Sequence, residues 1–167
     1  PLDQYNNLIS FYVLPEDIWV GSVMTDIQEN ITAVFGEAVS AQYIQDGNYW
    51  TGSLMDLDIS SGYWLRMADS DTLDGSGHPL DPNRVYDLHS GANLVSFPSP
   101  GAVNVSAGLP DDIEDHIIAI IGESVSAVIS EIFPDKSRSE PDWSINPGFS
   151  FPLFPNLTSF IFTLLIF

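Results

Sequence analysis

One stretch of this chain is written twice, and that repetition limits the fold more than any other feature. Asn7-Leu8-Ile9-Ser10-Phe11 returns as Asn93-Leu94-Val95-Ser96-Phe97. At the same offset of 86, Gly36-Glu37-Ala38-Val39-Ser40-Ala41 returns as Gly122-Glu123-Ser124-Val125-Ser126-Ala127. From Asn7 to Ala41, 13 of 35 positions are identical without a gap, among them Asp26, Ile27, Ile31 and Ala33. A fixed period of this kind marks a repeated structural unit. The expected organisation is a first module over 1–88, the first half of a second over 89–131, and a divergent apolar tail over 132–167. Pro1-Leu2-Asp3 precedes the first copy as Pro79-Leu80-Asp81 precedes the second, which reads as an excerpt from a longer array.

Within the unit, Leu8 to Leu14 is apolar, aromatic and β-branched up to Pro15, and predicts a strand matched by Leu94 to Phe97. Val20, Val23, Met24, Ile27 and Ile31 fall on one side of a helix, with Thr25 and Gln28 spaced as a capping box. In the second copy Pro110, the acids Asp111, Asp112 and Glu114, and the apolar Ile113, Ile117 and Ile121 predict a helix to Ile121. Strands follow at Ile31 to Phe35, Val39 to Ile44, Tyr49-Trp50 and Gly62 to Met67, with a turn at Asp46-Gly47. Thr72-Leu73 opens a last strand before the turn-rich Asp74 to Pro79. The fold class expected is α+β and β-rich: a tandem repeat of strand, short helix and antiparallel strands, its second copy incomplete.

Charge narrows the partners. Asp and Glu number 23 against 4 Lys and Arg, a net charge of -19. Nucleic acid is excluded as a partner on that balance, because phosphate binding needs clustered Lys and Arg. The acid suits a hydrated surface, a cation or a basic partner. There is no cysteine, hence neither a disulfide framework nor a thiolate site. Trp143 to Phe167 carries no charge, yet its last run without proline, Asn156 to Phe167, is 12 residues, short of the roughly 17–25 of a spanning helix. A membrane anchor is therefore disfavoured. A truncated or frame-shifted end, or a tail packed as a substitute strand, fits better.

Candidate chemistry is sparse. The alternate acids of Asp69-Ser70-Asp71-Thr72-Leu73-Asp74-Gly75 could offer Asp69, Asp71 and Asp74 to calcium, although the spacing is not that of an EF-hand. His78, His89 and His116 are scattered, and no Gly-x-Ser-x-Gly or phosphate loop occurs. Glu37 and Glu123 recur with their glycines, which favours a turn role over acid–base chemistry. Trp50, Tyr63 and Trp64 could form a sugar platform, but Tyr63 and Trp64 point to opposite faces of a strand and at least one belongs to the core.

Asn-Leu-[Ile/Val]-Ser-Phe, Trp-x-Gly-Ser-Leu at Trp50 to Leu54 and Gly-Tyr-Trp at Gly62 to Trp64 together resemble a tandem repeat module of large secreted or cell-surface proteins of marine and gliding bacteria. The resemblance spans roughly residues 7 to 88 and half of a second unit. It implies an extracellular, non-catalytic module whose partners are neighbouring repeat modules, and it leaves any glycan or protein ligand open. The expectation is a structural or adhesive role. The rival is a carboxylate-dependent hydrolase acting on glycans or peptides through Glu37, Asp69 or His78.

Overall fold

In the computed structural model, residues 1–81, 83–97 and 108–122 are described, with the backbone of 125–128 and 161–166. The first unit contributes β1 (Tyr5–Ser10), β2 (Val13–Leu14), α1 (Val20–Val23), β3 (Ile31–Phe35), β4 (Ser40–Ile44), β5 (Tyr49–Gly52), β6 (Gly62–Met67) and β7 (His78–Pro79). The second contributes β8 (Gly91–Ser96), β9 (Ile117–Gly122), β10 (Val125–Val128) and β11 (Ile161–Ile166). The architecture is β-rich and antiparallel: one sheet in the order β1-β6-β3-β4-β5, another in the order β10-β9-β11-β8, and a β2-β7 pair.

Alternation sets the first sheet. In β6, Tyr63, Leu65 and Met67 are buried and Arg66 is exposed, the period of two that puts one face on a core. Val20, Met24 and Ile27 are fully buried over that core with Ile31, Val34 and Leu57. Burial of this face, at about 25 cal/mol per Å² of apolar surface, holds the sheet and its short helical cover together.

The helices are shorter than the spacing predicts. The first is four residues of α-helix followed by a 3-10 turn, Thr25–Ile27. No capping box forms: Thr25 Oγ1 donates back to the Gly21 and Ser22 carbonyls, which loosens a helix rather than starting one. Gln28 instead turns its side chain to Tyr43 and Asn48. The second predicted helix is only a 3-10 turn, Glu114–His116, and Ile117–Gly122 is a strand. The run Ile117-Ile118-Ala119-Ile120-Ile121 is mostly β-branched, and that preference prevails over the i, i+4 coincidence of its isoleucines. The predicted Leu8 to Leu14 strand breaks at Phe11 and Tyr12 and resumes as β2, whose partner is β7. Thr72-Leu73 opens no strand; Asp71 makes a bridge to Leu2, and the late strand is His78–Pro79.

The two sheets share one pairing plan. Advanced by 86, β1 becomes β8, and the Ile31–Phe35 span of β3 falls within β9. Ser96 faces Ile161 as Ser10 faces Gly62, and Ile120 faces Leu164 as Val34 faces Leu65. Ile121 faces Ser126 as Phe35 faces Ser40. The register shift between Ile31 and Ala33 recurs between Leu165 and Ile166. The place of β6 is taken by β11, at an offset of 99 from Gly62 to Ile161. A strand drawn from the apolar tail thus lies inside the second sheet. Pro1-Leu2-Asp3 and Pro79-Leu80-Asp81 are not equivalent, for Leu2 exchanges backbone bonds with Asp71 whereas the Leu80 N–H donates to the Tyr12 carbonyl.

The buried asparagines of the repeated motif do the same work twice. The Asp3 N–H donates to Asn7 Oδ1, and Asn7 Nδ2 donates to the Asp3 carbonyl, each at 2.7 Å. His89 and Asn93 repeat this at 2.9 and 2.8 Å. Each clamp closes a turn whose middle residue has positive φ: Tyr5 at 81° and Gly91 at 107°. Tyr5 is strained there and largely exposed, so Tyr5→Gly should raise stability by about 1 kcal/mol. Chemical denaturation of the two proteins checks this, and a lower midpoint for the glycine variant contradicts it.

Candidate functional site

The described residues bring side chains of the two units together at the outer edge of β8. An edge strand presents unpaired amides and is a liability unless they are covered. Here the first unit covers them. The turn between β3 and β4 is closed by the Gly36 N–H donating to the Val39 carbonyl at 2.9 Å. Ala38 sits in that turn at a φ of 57°. From this turn Glu37 reaches across, and its Oε2 accepts the Leu94 N–H at 2.9 Å while its Oε1 meets His89 Nε2. Two residues along β8, the Ser96 N–H donates to the Ser60 carbonyl at 2.9 Å, and Ser61 bridges to Val95 between them. Tyr86 Oη and Ser96 Oγ lie 3.2 Å apart beneath.

The surroundings of His89 favour its charged form. Its Nδ1 is 2.9 Å from the Ser90 carbonyl and its Nε2 faces a carboxylate, two acceptors that only the imidazolium satisfies at once. Its pKa is raised by the Ser90 carbonyl and then by Glu37, against a smaller effect of burial. For Glu37, burial pushes the pKa up, but the Leu94 amide and His89 together outweigh it and the carboxyl titrates below its usual value. The His89 contribution is full below the ordinary histidine value of 6.5 and is lost as pH rises through its higher folded value. The Glu37 contribution is present above the ordinary 4.5 and is lost as pH falls through its lower folded value. The junction should be tightest between about pH 4.5 and 6.5. Amide exchange at Leu94 should be slowest in that window after correction for intrinsic rates, and His89→Gln should remove the loss of protection on the alkaline side. A flat profile contradicts the pairing. Both side chains are about half exposed, so the effect is a fraction of a surface ion pair.

The residues picked from sequence lie apart from this junction, apart from Glu37 and His89. Asp69 Oδ1 accepts the N–H of Ser70. Asp71 accepts the Thr72 N–H on Oδ1 and Asn30 Nδ2 on Oδ2 at 2.7 and 2.9 Å. Those bonds, that to Asn30 first, keep its pKa low. Asp74 is exposed. Among the described residues no three His, Cys, Asp or Glu side chains stand together as a group able to hold a metal ion. His78 lines an open groove of about 590 Å³ with Leu14, Ile18, Asp56, Leu57 and Asp58, and neither Glu37 nor Asp69 reaches it. Asp58 there is pushed up by burial, then more than compensated by Ser60 and Arg84, the latter at 3.7 Å, so it stays ionised.

The aromatic and glycine motifs prove to be structural. Tyr63 is core, tilted against Phe11 at 6.1 Å, and its hydroxyl accepts the Asp58 N–H at 2.7 Å. Trp50 is buried against Tyr43 at 5.3 Å, which removes it from any sugar platform, and its indole N–H has no hydrogen-bond partner among the described residues. Gly52 passes so close to the backbone of Ser40 that the Ser53 and Leu54 N–H groups both donate to the Ser40 carbonyl, at 2.9 and 3.0 Å. Ser60, Ser61 and the asparagine clamps were not singled out by sequence reasoning. The recurrence of Asn7 as Asn93 was the available signal for the clamps, whereas a contact through the Ser60 backbone carbonyl leaves none.

No helix among the described residues is long and apolar enough to cross a membrane. Comparison with known protein families, curated proteins and solved structures finds no match.

Proposed function

We propose that this chain is part of a tandem array of β-rich modules, extracellular and non-catalytic, with a structural or adhesive role in a larger surface protein. The observation that carries the reading is the β8 edge. One unit supplies Glu37 and the Ser60 carbonyl to the amides of the next unit's first strand, so the first unit completes the backbone bonds of the second's edge. The shared pairing plan of the two sheets supports a repeat, and the net charge of -19 suits a surface kept hydrated and apart from nucleic acid. A direct test is protease treatment of intact source cells followed by detection with an antibody to this chain. Loss of the signal, with an intracellular control intact, is the expected result; persistence of both contradicts a surface location.

Calcium at Asp69, Asp71 and Asp74 is proposed from the sequence pattern and is tested by melts. A bound ion stabilises the folded state by mass action, so a midpoint higher in calcium than in chelator, with that difference abolished in Asp71→Ala, supports it. Coincident melts in calcium and chelator contradict it.

A further inference from the structure

We infer that the residue clamped by the motif's asparagine selects which Gly-Glu turn docks on a strand edge: His89 draws the Glu37 turn to β8, and Asp3, its counterpart in the first unit, disfavours the same turn at β1. The inference rests on the modular reading above and names the residue that sets the order of the modules.

The backbone part of the junction carries no such information. Asn-Leu-x-Ser-Phe occurs in both units, and so does Gly-Glu, as Gly36-Glu37 and Gly122-Glu123. A main-chain N–H is the same group in every residue. The Leu94 amide taken by Glu37 and the Ser96 amide taken by the Ser60 carbonyl therefore hold the units together without telling one copy from another. Discrimination must come from a side chain that reaches the turn and differs between the copies. At β8 that side chain is His89, whose Nε2 meets Glu37 Oε1.

The clamp puts Asp3 in the corresponding place. Asp3 and His89 are each bound through their N–H and carbonyl to the asparagine four residues on, with a positive φ at the middle residue, Tyr5 or Gly91. The same local frame thus sets a histidine beside the amide of one motif leucine and an aspartate beside that of the other. Against Glu37 the first is attractive and the second is a like charge, and specificity is the difference between the two. Both Glu37 and His89 are about half exposed, so the change from attraction to repulsion is worth about 3- to 10-fold in the docking equilibrium.

The test is a double-mutant cycle on the full chain, read by amide exchange at Leu94 and Ser96 at about pH 6, where the histidine is charged. His89→Asp gives β8 the selector of β1, and an aspartate fits the clamp, as Asp3 shows. Protection at both amides should fall about 3- to 10-fold. In a Glu37→Gln background the side-chain carbonyl still accepts the Leu94 N–H but carries no charge, so the same substitution should cost less than about twofold. No loss, or an equal loss in both backgrounds, overturns the selection. Glu37→Ala separates that failure from failure of the junction. A fall in Leu94 protection on Glu37→Ala leaves the modular contact standing, whereas unchanged protection shows that the turn is not docked on β8 and overturns both.

Discussion

Gly52→Ala should cost the first unit about 2–6 kcal/mol, a large share of the roughly 5–15 kcal/mol that holds a domain folded. At a φ of 142°, Gly52 occupies backbone space that residues with a Cβ rarely enter. An alanine Cβ there would also lie 2.2 Å from the Ser40 carbonyl oxygen. Strain of that kind costs about 1–3 kcal/mol and overpacking a similar amount. The obstacle is backbone, which cannot swing aside as a side chain would. The control is Gly75→Ala, whose nearest neighbour would be Val13 at 4.0 Å and which should change stability by no more than about 0.5 kcal/mol. Equal midpoints for the two variants in urea would contradict the account of the Trp-x-Gly-Ser-Leu motif.

The second large effect concerns the shared place of Leu65 and Leu164. Leu65 is fully buried, and Leu65→Ala should cost about 2–5 kcal/mol by loss of transfer energy and by the cavity left. Leu164 faces Ile120 as Leu65 faces Val34, so Leu164→Ala should cost the second unit a comparable amount. Amide exchange separates the two. The first variant should lose protection in β3 and β6, the second in β8 and β9. A Leu164 variant with unchanged protection would show that β11 does not complete the second sheet.

Much of the first sheet was legible in the sequence. Tyr63, Leu65 and Met67 are buried at alternate positions of β6, and Ile31–Phe35 has the bounds its β-branched content indicates. The helices misled because short amphipathic spacing fits one α turn plus a 3-10 turn as well as a full helix. In the second copy the repeat itself held the correction: an offset of 86 puts Ile117 opposite Ile31, the first residue of β3, so a helix running to Ile121 conflicts with the strand it should repeat. A substitute strand from the tail was one of two expectations, but its place and register were not legible. The strand pairs with residues far away in the chain, and the connecting length differs between the copies, so no fixed offset reveals it. At the junction, the recurrence of Glu37 with its glycine pointed to a turn; that the turn reaches the amide of Leu94 depends on three-dimensional placement, which local pattern does not carry.

The central claim is that the two sheets are built on one pairing plan, with Ile161–Ile166 in the place of Gly62–Met67. The most direct measurement is the set of cross-strand Hα–Hα nuclear Overhauser contacts in isotopically labelled protein, because close contacts of this type arise only between non-hydrogen-bonded antiparallel partners. The account predicts contacts for Leu8 with Trp64 and for Leu94 with Thr163. A contact for Leu8 with Trp64 alone, with Leu94 paired to another strand or to none, would contradict it.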